Sequence, residues 1–391
     1  MKVALVHDWL TGMRGGEKCL EILCEHYPDA ELYTLLHARN RVSPIIERMR
    51  IKTSFIQKLP KAFQCYRYYL PFFPTAIEEF DLKGYDLVIS TSHCVSKGVL
   101  PAPGSLHISY CFTPMRYAWD MRSDYFPKSG HTIRDLFVAF VFNYLRTWDA
   151  ASSQRVDFFV AVSHHVRRRI QRFYGRDSTV IYPPVDCDFF TPSPTPAKDG
   201  DYFLMVTAMA PYKRVHLAVE AFNRLGKPLL IVGDGQGFKP LKRAAKTNVE
   251  FLGWQSDEKV RDYYRQCKAF IFPGEEDFGI APVEVQACGR PVIAYGRGGV
   301  LETVIPLPEE RATGVFFNQP TVESLTEAVE VFEREKDRFD SREIRENALR
   351  FDKKKFRREI KSFIDERYRE FEELKAQGKG QGLRTKDNFG D

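Results

Sequence analysis

The sequence predicts an α/β protein with two doubly wound, Rossmann-like parallel-sheet domains, and three observations lead there. Its 391 residues exceed one ordinary core and suit two domains of about 150–200 residues. β-Branched apolar runs alternate with amphipathic helical stretches in both halves, the pattern of parallel strands joined by crossover helices. Between the halves, "TPSPTPAKDGD" (191–201) is rich in Pro, Thr and Asp and poor in core residues, so it reads as a linker.

In order, "KVALVH" is a strand that opens on Gly12, Gly15 and Gly16, and "EKCLEILCEHY" is the helix after it. "YDLVIST" and "LHISYC" are further buried strands. "LFVAFVFNYL", interrupted by Asn143, is too short to span a membrane and is predicted to be a buried helix. "VDFFVAVS" precedes the basic helix "HHVRRRIQRFYG", and "STVIYPPVD" ends in a proline corner. After the linker come strand "YFLMVTA", helix "RVHLAVEAFNRL", strands "PLLIVGDG" and "VEFLGW", helix "SDEKVRDYYRQC", and strands "AFIFP" and "RPVIAYG". "KKKFRREIKSFIDERYREFEEL" is one long helix with a single apolar stripe. The expected domains are 1–190, a linker at 191–200, and 201–350, followed by a helix at 351–373 and a disordered tail at 374–391.

Composition narrows the function. An apolar content of 43% and a charged content of 28% are those of a soluble globular protein. The net charge of +6 admits a phosphate ligand or a membrane surface but is too diffuse for nucleic acid. The 8 cysteines are scattered without a C-x-x-C pair, so free thiols, a cytoplasmic location and no zinc site are expected. "KLPKAFQCYRYYLPFF" (58–73) interleaves Lys58, Lys61 and Arg67 with aromatics. It suits either an anionic lipid interface or a partly buried helix with snorkelling cations.

In doubly wound sheets, ligands bind at the carboxyl ends of strands, and the loops of the two halves are expected to line one cleft. Four carboxylates crowd "GEEDFGIAPVE". Glu276 leaves a strand and Glu284 lies in the next helix, where they either grip two points of one ligand or are merely solvated and dipole-complementing. The amides of Phe278, Gly279, Ile280 and Ala281 at that helix start suit a phosphate or sugar oxygens. Lys213 and Arg214 enter another helix, an unfavourable place for cations unless they serve an anion such as a diphosphate. "TGMRGGEK" with Gly15 and Gly16, "IVGDGQG" and "GRGGVLE" are glycine loops of low specificity, turns or amide nests alike. In the first half, His93 and Lys97 follow a strand, and Met115, Arg116 and Tyr117 lie in "YCFTPMRYAWD".

"PYKRVHLAVEAF", "IVGDG", "FLGW", "EEDFGIAPVEVQACGRPVIAYGRGGVLETV" and "VIYPPVD" together resemble the donor half of a family 4 glycosyltransferase, a retaining enzyme of GT-B fold. "DWLTGMRGGEK", "HISYCFTPMRYAWD" and "RTWDAASSQRVDFFVAVS" resemble the bacterial O-antigen and exopolysaccharide mannosyltransferase branch, so the likeness runs from residue 1 to about 370. The resemblance implies that Glu284 binds the ribose, Glu276 the sugar hydroxyls, and Lys213 with the Gly16 amide the diphosphate. Gly253 and Trp254 would meet the base. Glu276, Lys213 and His93 are the expected catalytic residues, and Asp8, Lys97, Arg116 and Tyr117 fall on the acceptor side. It further implies no metal and no cofactor besides the nucleotide-sugar donor, GDP- or UDP-linked, and a lipid-linked or soluble glycan acceptor. The expected place is the cytoplasm, on the inner face of the plasma membrane, with residues 58–73 as the contact, and the long C-terminal helix is expected to pack back on the first domain. Two departures stand out: Ala208 replaces a customary Arg, for which Arg214 or Arg116 substitutes, and Phe112 replaces a customary acceptor-side His, which brings His93 forward. The competing classes are an NAD-dependent oxidoreductase, disfavoured because neither half supplies G-x-G-x-x-G with a later acid, and a non-catalytic nucleotide-sugar binder.

Overall fold

A computed structural model describes residues 1–120, 130, 132–194, 200–235 and 237–377. It divides into two compact units, Met1–Tyr182 with Phe356–Asp391, and Pro183–Lys355.

The first unit carries a seven-stranded parallel sheet of β1 (Val3–His7), β2 (Glu31–Thr34), β3 (Arg50–Thr53), β4 (Leu87–Ser92), β5 (Leu106–Cys111), β6 (Phe158–Ala161) and β7 (Thr179–Val180). Its order is β3-β2-β1-β4-β5-β6-β7. Every residue of β1, β4 and β5 is buried, because helices cover both faces of a doubly wound sheet. The chain builds outward in one direction from β1 and in the other from β4, so the topological switch lies between these two strands. Helix α1 (Gly15–His26) follows β1, and α2 (Phe73–Glu78) and α3 (Thr132–Ser153) pack against a core that includes Ile56, Tyr66, Phe73, Phe142 and Leu145.

The second unit repeats the plan with six strands: β8 (Phe203–Val206), β9 (Leu229–Val232), β10 (Val249–Gly253), β11 (Phe270–Phe272), β12 (Val292–Tyr295) and β13 (Gly314–Phe317). The order β10-β9-β8-β11-β12-β13 puts its switch between β8 and β11. Helices α4 (Val215–Leu225) and α5 (Ile280–Ala287) follow those two strands. α4 shows its apolar spacing plainly, burying Val215, Leu217, Ala218, Val219, Ala221 and Phe222.

Two sequence expectations shift. Residues 183–194, expected in the first domain and the linker, belong to the second unit, because two guanidinium groups tether them there. Arg345 donates to the carbonyls of Cys187 and Phe190, both at 3.0 Å, and Arg265 Nε to that of Thr191 at 2.7 Å. The part of the linker at 195–199 and positions 378–391 of the expected tail lie outside the described residues, whereas 374–376 of that tail are not disordered but continue the closing helix. "LFVAFVFNYL", expected to be buried, lies in α3 with Leu136, Phe137 and Phe140 exposed. Only Phe142 and Leu145 among its apolar residues reach full burial, since one face of α3 meets the core and no described residue covers the opposite face.

The closing helix α6 (Lys353–Ala376) buries Phe356, Ile360, Ile364 and Phe371. Its Phe356 ring meets Tyr110 edge-on with centroids 5.6 Å apart, and Arg357 pairs with Glu25 while its carbonyl meets His26 at 3.1 Å. All eight cysteines are free, and seven are buried. Phe356→Ala should lower the stability of the first unit by about 3–5 kcal/mol in urea denaturation, the range for truncating a buried Phe. A cost below about 1 kcal/mol would show that α6 is not part of that core.

Candidate functional site

Each sheet brings a pair of polar side chains to its switch point. In the second, the loop after β8 forms a single 3-10 turn, Pro211–Lys213, and then Arg214 takes a left-handed conformation (φ 50°) to start α4. The loop after β11 runs beside it so closely that a Cβ on Gly274 would lie 3.0 Å from Lys213 Cα. That approach lets Lys213 Nζ form an ion pair with Glu276 Oε1, both side chains being about four-fifths buried at 16% and 20% exposure. Arg214 stacks over the Tyr295 ring at 4.7 Å, and its buried Nη1 makes no hydrogen bond among the described residues. Two cations and one carboxylate therefore meet at the place where a parallel sheet opens.

The same loop is held from the other side. Gly299 N donates to Glu276 O at 2.8 Å, and Glu276 forms an isolated parallel bridge with Gly298. A Cβ on Gly298 (φ 80°) would fall 2.3 Å from Glu276 O, and one on Gly299 2.4 Å from Asp277 O. These glycines serve close backbone approach, a role besides the turn and nest readings of "GRGG". Gly233 is similar, since its Cβ would lie 1.8 Å from Thr207 O.

Past Glu276 the Phe278 side chain points inward onto Phe351, and Gly279 (φ 89°) swings the chain into α5. The first amides of α5, at Ile280 and Ala281, have no acceptor within the helix, a ready arrangement for an anion. Glu284, one turn on, is 9% exposed and accepts a hydrogen bond from Tyr264 Oη at 3.2 Å. Burial, and then the Glu284 charge, hold the Tyr264 hydroxyl well above the usual tyrosine range, so it stays a donor. Gly253 is left-handed (φ 69°), and Trp254 beside it stands 78% exposed.

In the first unit the switch point holds Asp8, after β1, and His93, after β4. Asp8 is fully buried and accepts from the amides of His93 (2.7 Å), Cys94 (2.9 Å), Val95 (2.7 Å) and Ser96 (2.8 Å). Its Oδ2 also meets His93 Nδ1 at 2.9 Å. Burial works against its charge, but His93, through its charge and its hydrogen bonds, holds the carboxyl well below the usual range. Tyr117 Oη contacts Cys94 Sγ at 2.6 Å, which brings Tyr117 to the same loop. Phe112 stands between its neighbours, with its ring 6.3 Å from that of His93 and its edge 3.2 Å from where a Gly16 Cβ would sit. At the start of α1, Glu17 accepts from Arg14 N at 3.0 Å and fixes the Gly15–Gly16 turn.

Two residues assigned to the acceptor side are turned inward. Lys97, 1% exposed, donates to Asp149 Oδ1 at 2.6 Å and Ser152 Oγ at 3.1 Å. Asp8 spends its oxygens on the 93–96 loop. Both hold the unit together, and Lys97 has no surface left for a substrate. Met115 is wholly buried, whereas Arg116 is half-buried. Arg214 lies beside Lys213, so of the two substitutes for the missing Arg it is the one in the second unit's site. Tyr264, Tyr295 and Gly274 escaped the sequence reading. Only Gly274, immediately ahead of the acidic run, left a signal there.

Residues 13–189 match the family model described as Glycosyltransferase Family 4, and residues 188–351 the model Glycosyl transferases group 1. The GDP-mannose-dependent monoacylated alpha-(1-6)-phosphatidylinositol monomannoside mannosyltransferase of Corynebacterium glutamicum is 29% identical over 201 residues, 44% of this chain and 51% of that protein. O-antigen chain mannosyltransferase C of Escherichia coli is 34% identical over 103 residues, 24% of this chain and 28% of that protein. The matched stretches thus span about half or less of the curated relatives. Anabaena Alr3699/HepE, solved with UDP, superposes with a TM-score of 0.68 at 17% identity, over 94% of this chain and 100% of that one.

Asp8→Asn should cost about 3 kcal/mol in urea denaturation near neutral pH, as for breaking a buried charged pair. A carboxyl whose folded value is depressed adds stability that is complete above its unfolded value near 4 and is lost as pH falls through the folded value. The gap between wild type and variant should therefore hold at neutral pH and shrink on acidification below about 4. A gap that widens in acid would contradict the assignment.

Proposed function

The chain belongs to the family 4 glycosyltransferases of GT-B fold, and from that premise we propose that it is a retaining hexosyltransferase moving mannose from GDP-mannose to a lipid-linked glycan in surface polysaccharide synthesis. The observation that carries the reading is the Lys213–Glu276 ion pair at the second switch point, backed by Arg214. Without ligand the two charges neutralise each other. A nucleoside diphosphate takes over Lys213, and the released Glu276 carboxylate accepts from sugar hydroxyls.

As the bond from the sugar to the diphosphate breaks, negative charge grows on the leaving group. Lys213, Arg214 and the first amides of α5 are assigned to that charge, and groups fixed in advance lower the reorganisation the reaction costs. Glu284, oriented by Tyr264, is assigned to the ribose, and Gly253 and Trp254 to the base. Gly15 and Gly16 form the first unit's anion site. With these charges in place the reaction requires no metal, so a chelator should leave turnover unchanged. In the first unit, the Asp8 carboxylate holds the His93 ring through Nδ1, and His93 is assigned to the incoming hydroxyl. Arg116 and Tyr117 are assigned to the glycan, and the partly exposed 58–73 segment to peripheral contact with the inner membrane face. No helix among the described residues is long and apolar enough to cross a membrane.

Mannose rests on the curated mannosyltransferase relatives. A UDP-linked sugar is the second reading, favoured by the UDP bound to the superposed Anabaena protein. Thermal shift separates them: the correct nucleotide at 100 times its Kd should stabilise by about 2.7 kcal/mol. Stabilisation by NAD and by neither GDP nor UDP would end the transferase reading. Glu276→Gln should lower turnover by at least ~100-fold while nucleoside diphosphate binding holds or tightens, because Lys213 is then unpaired. Lys213→Ala should weaken both. Full turnover in either variant would refute its role.

A further inference from the structure

α3 carries an apolar stripe that no part of the described structure covers. Ile133, Leu136, Phe137 and Phe140 are 64–86% exposed, and Tyr144 follows at 40%. They recur at i, i+3, i+4, i+7 and i+11, one stripe about 16 Å long on a helix. Single exposed apolar side chains are ordinary, but a contiguous run of this size marks an interaction surface.

The segment before α2 continues the feature. Phe63, Tyr68 and Phe72 are exposed, interleaved with exposed Lys58, Lys61 and Arg67. The two segments are joined: Trp148 Nε1 of α3 donates to Glu78 Oε1 of α2 at 2.8 Å, and Arg155 Nη1 reaches the same oxygen at 2.5 Å. Tyr69 and Leu70 on one side, and Val138 and Val141 on the other, pack against a common core. From Arg48 to Ile77 the sequence has no Asp or Glu, and Arg134 adds an exposed cation on α3.

We propose that the outer stripe of α3 and the 58–72 turns form a single lipid-docking face, the apolar side chains entering the acyl boundary of an anionic bilayer and the cations meeting its headgroups. Charge selects this occupant. A second copy joined through the same face would set cations against cations. An amphipathic helix lying flat with aromatics and basic residues is what an anionic interface binds. The inference deepens the proposed lipid-linked acceptor, since it supplies the surface that holds the enzyme where such an acceptor lies, and it rests on that reading only for its purpose.

Flotation with phosphatidylcholine vesicles, with and without phosphatidylglycerol, tests it on the full chain. Wild type should bind the phosphatidylglycerol vesicles and be released by salt. The triple variant Leu136→Gln, Phe137→Gln, Phe140→Gln should bind at least ~100-fold more weakly. Lys58→Gln, Lys61→Gln, Arg67→Gln should lose roughly 100-fold on phosphatidylglycerol vesicles, at about fivefold per cation. All six positions are exposed, so both variants should keep the wild-type melting temperature and nucleotide-induced shift, which separates lost docking from lost folding. Equal vesicle binding by the α3 variant and wild type would overturn the proposal. So would a wild type that ignores vesicles but forms a dimer that the α3 variant abolishes in sedimentation velocity. If no nucleotide shifts the wild type while vesicle binding behaves as described, the transferase reading fails and the docking face stands.

Discussion

Two neighbouring parallel strands whose following helices leave for opposite faces of the sheet have diverging loops, and the crevice between them is the one place where strand ends stay open to a ligand. In this protein β1 and β4 meet that condition in one unit, and β8 and β11 in the other. Each crevice holds a carboxylate against a nitrogen: Asp8 with His93, and Glu276 with Lys213. The two differ in what the carboxylate does. Asp8 is consumed by four amides and a ring nitrogen, so its work is to shape a loop. Glu276, among the described residues, is paired through its side chain with the Lys213 ammonium alone, and we assign it to the ligand.

Glycines enforce the second arrangement. Gly233 against Thr207, Gly298 against Glu276 and Gly299 against Asp277 bring backbones closer than a Cβ allows, and Gly274 passes Lys213 at that limit. Four close approaches around one crevice leave the loops little freedom, so the charged groups are placed before a ligand arrives. That is the condition under which fixed dipoles and charges stabilise a developing anion most strongly.

The strand runs, the helix of "RVHLAVEAFNRL" and the amphipathic stripe of α6 were legible because apolar periodicity reports burial directly. The same logic misread α3, since a run of apolar residues does not say whether both sides of a helix are covered. It also misjudged Lys97. A lysine four residues after a strand-end histidine looks available, and only the partner from α3, Asp149, fixed it inside.

By itself, the sequence determined the two wound sheets, the acidic loop with its basic counterpart, the Pro-rich break and the motifs that mark the family, all of them features carried by local periodicity and spacing. Tertiary structure alone decided strand order, and with it that Lys213 and Glu276, 63 positions apart in the numbering, face each other. It also decided that Tyr264 and Tyr295 support Glu284 and Arg214, and that no described residue covers one face of α3. The physical reason is that pairing across a sheet depends on which crossovers fill which face, a long-range packing choice that residue spacing does not encode.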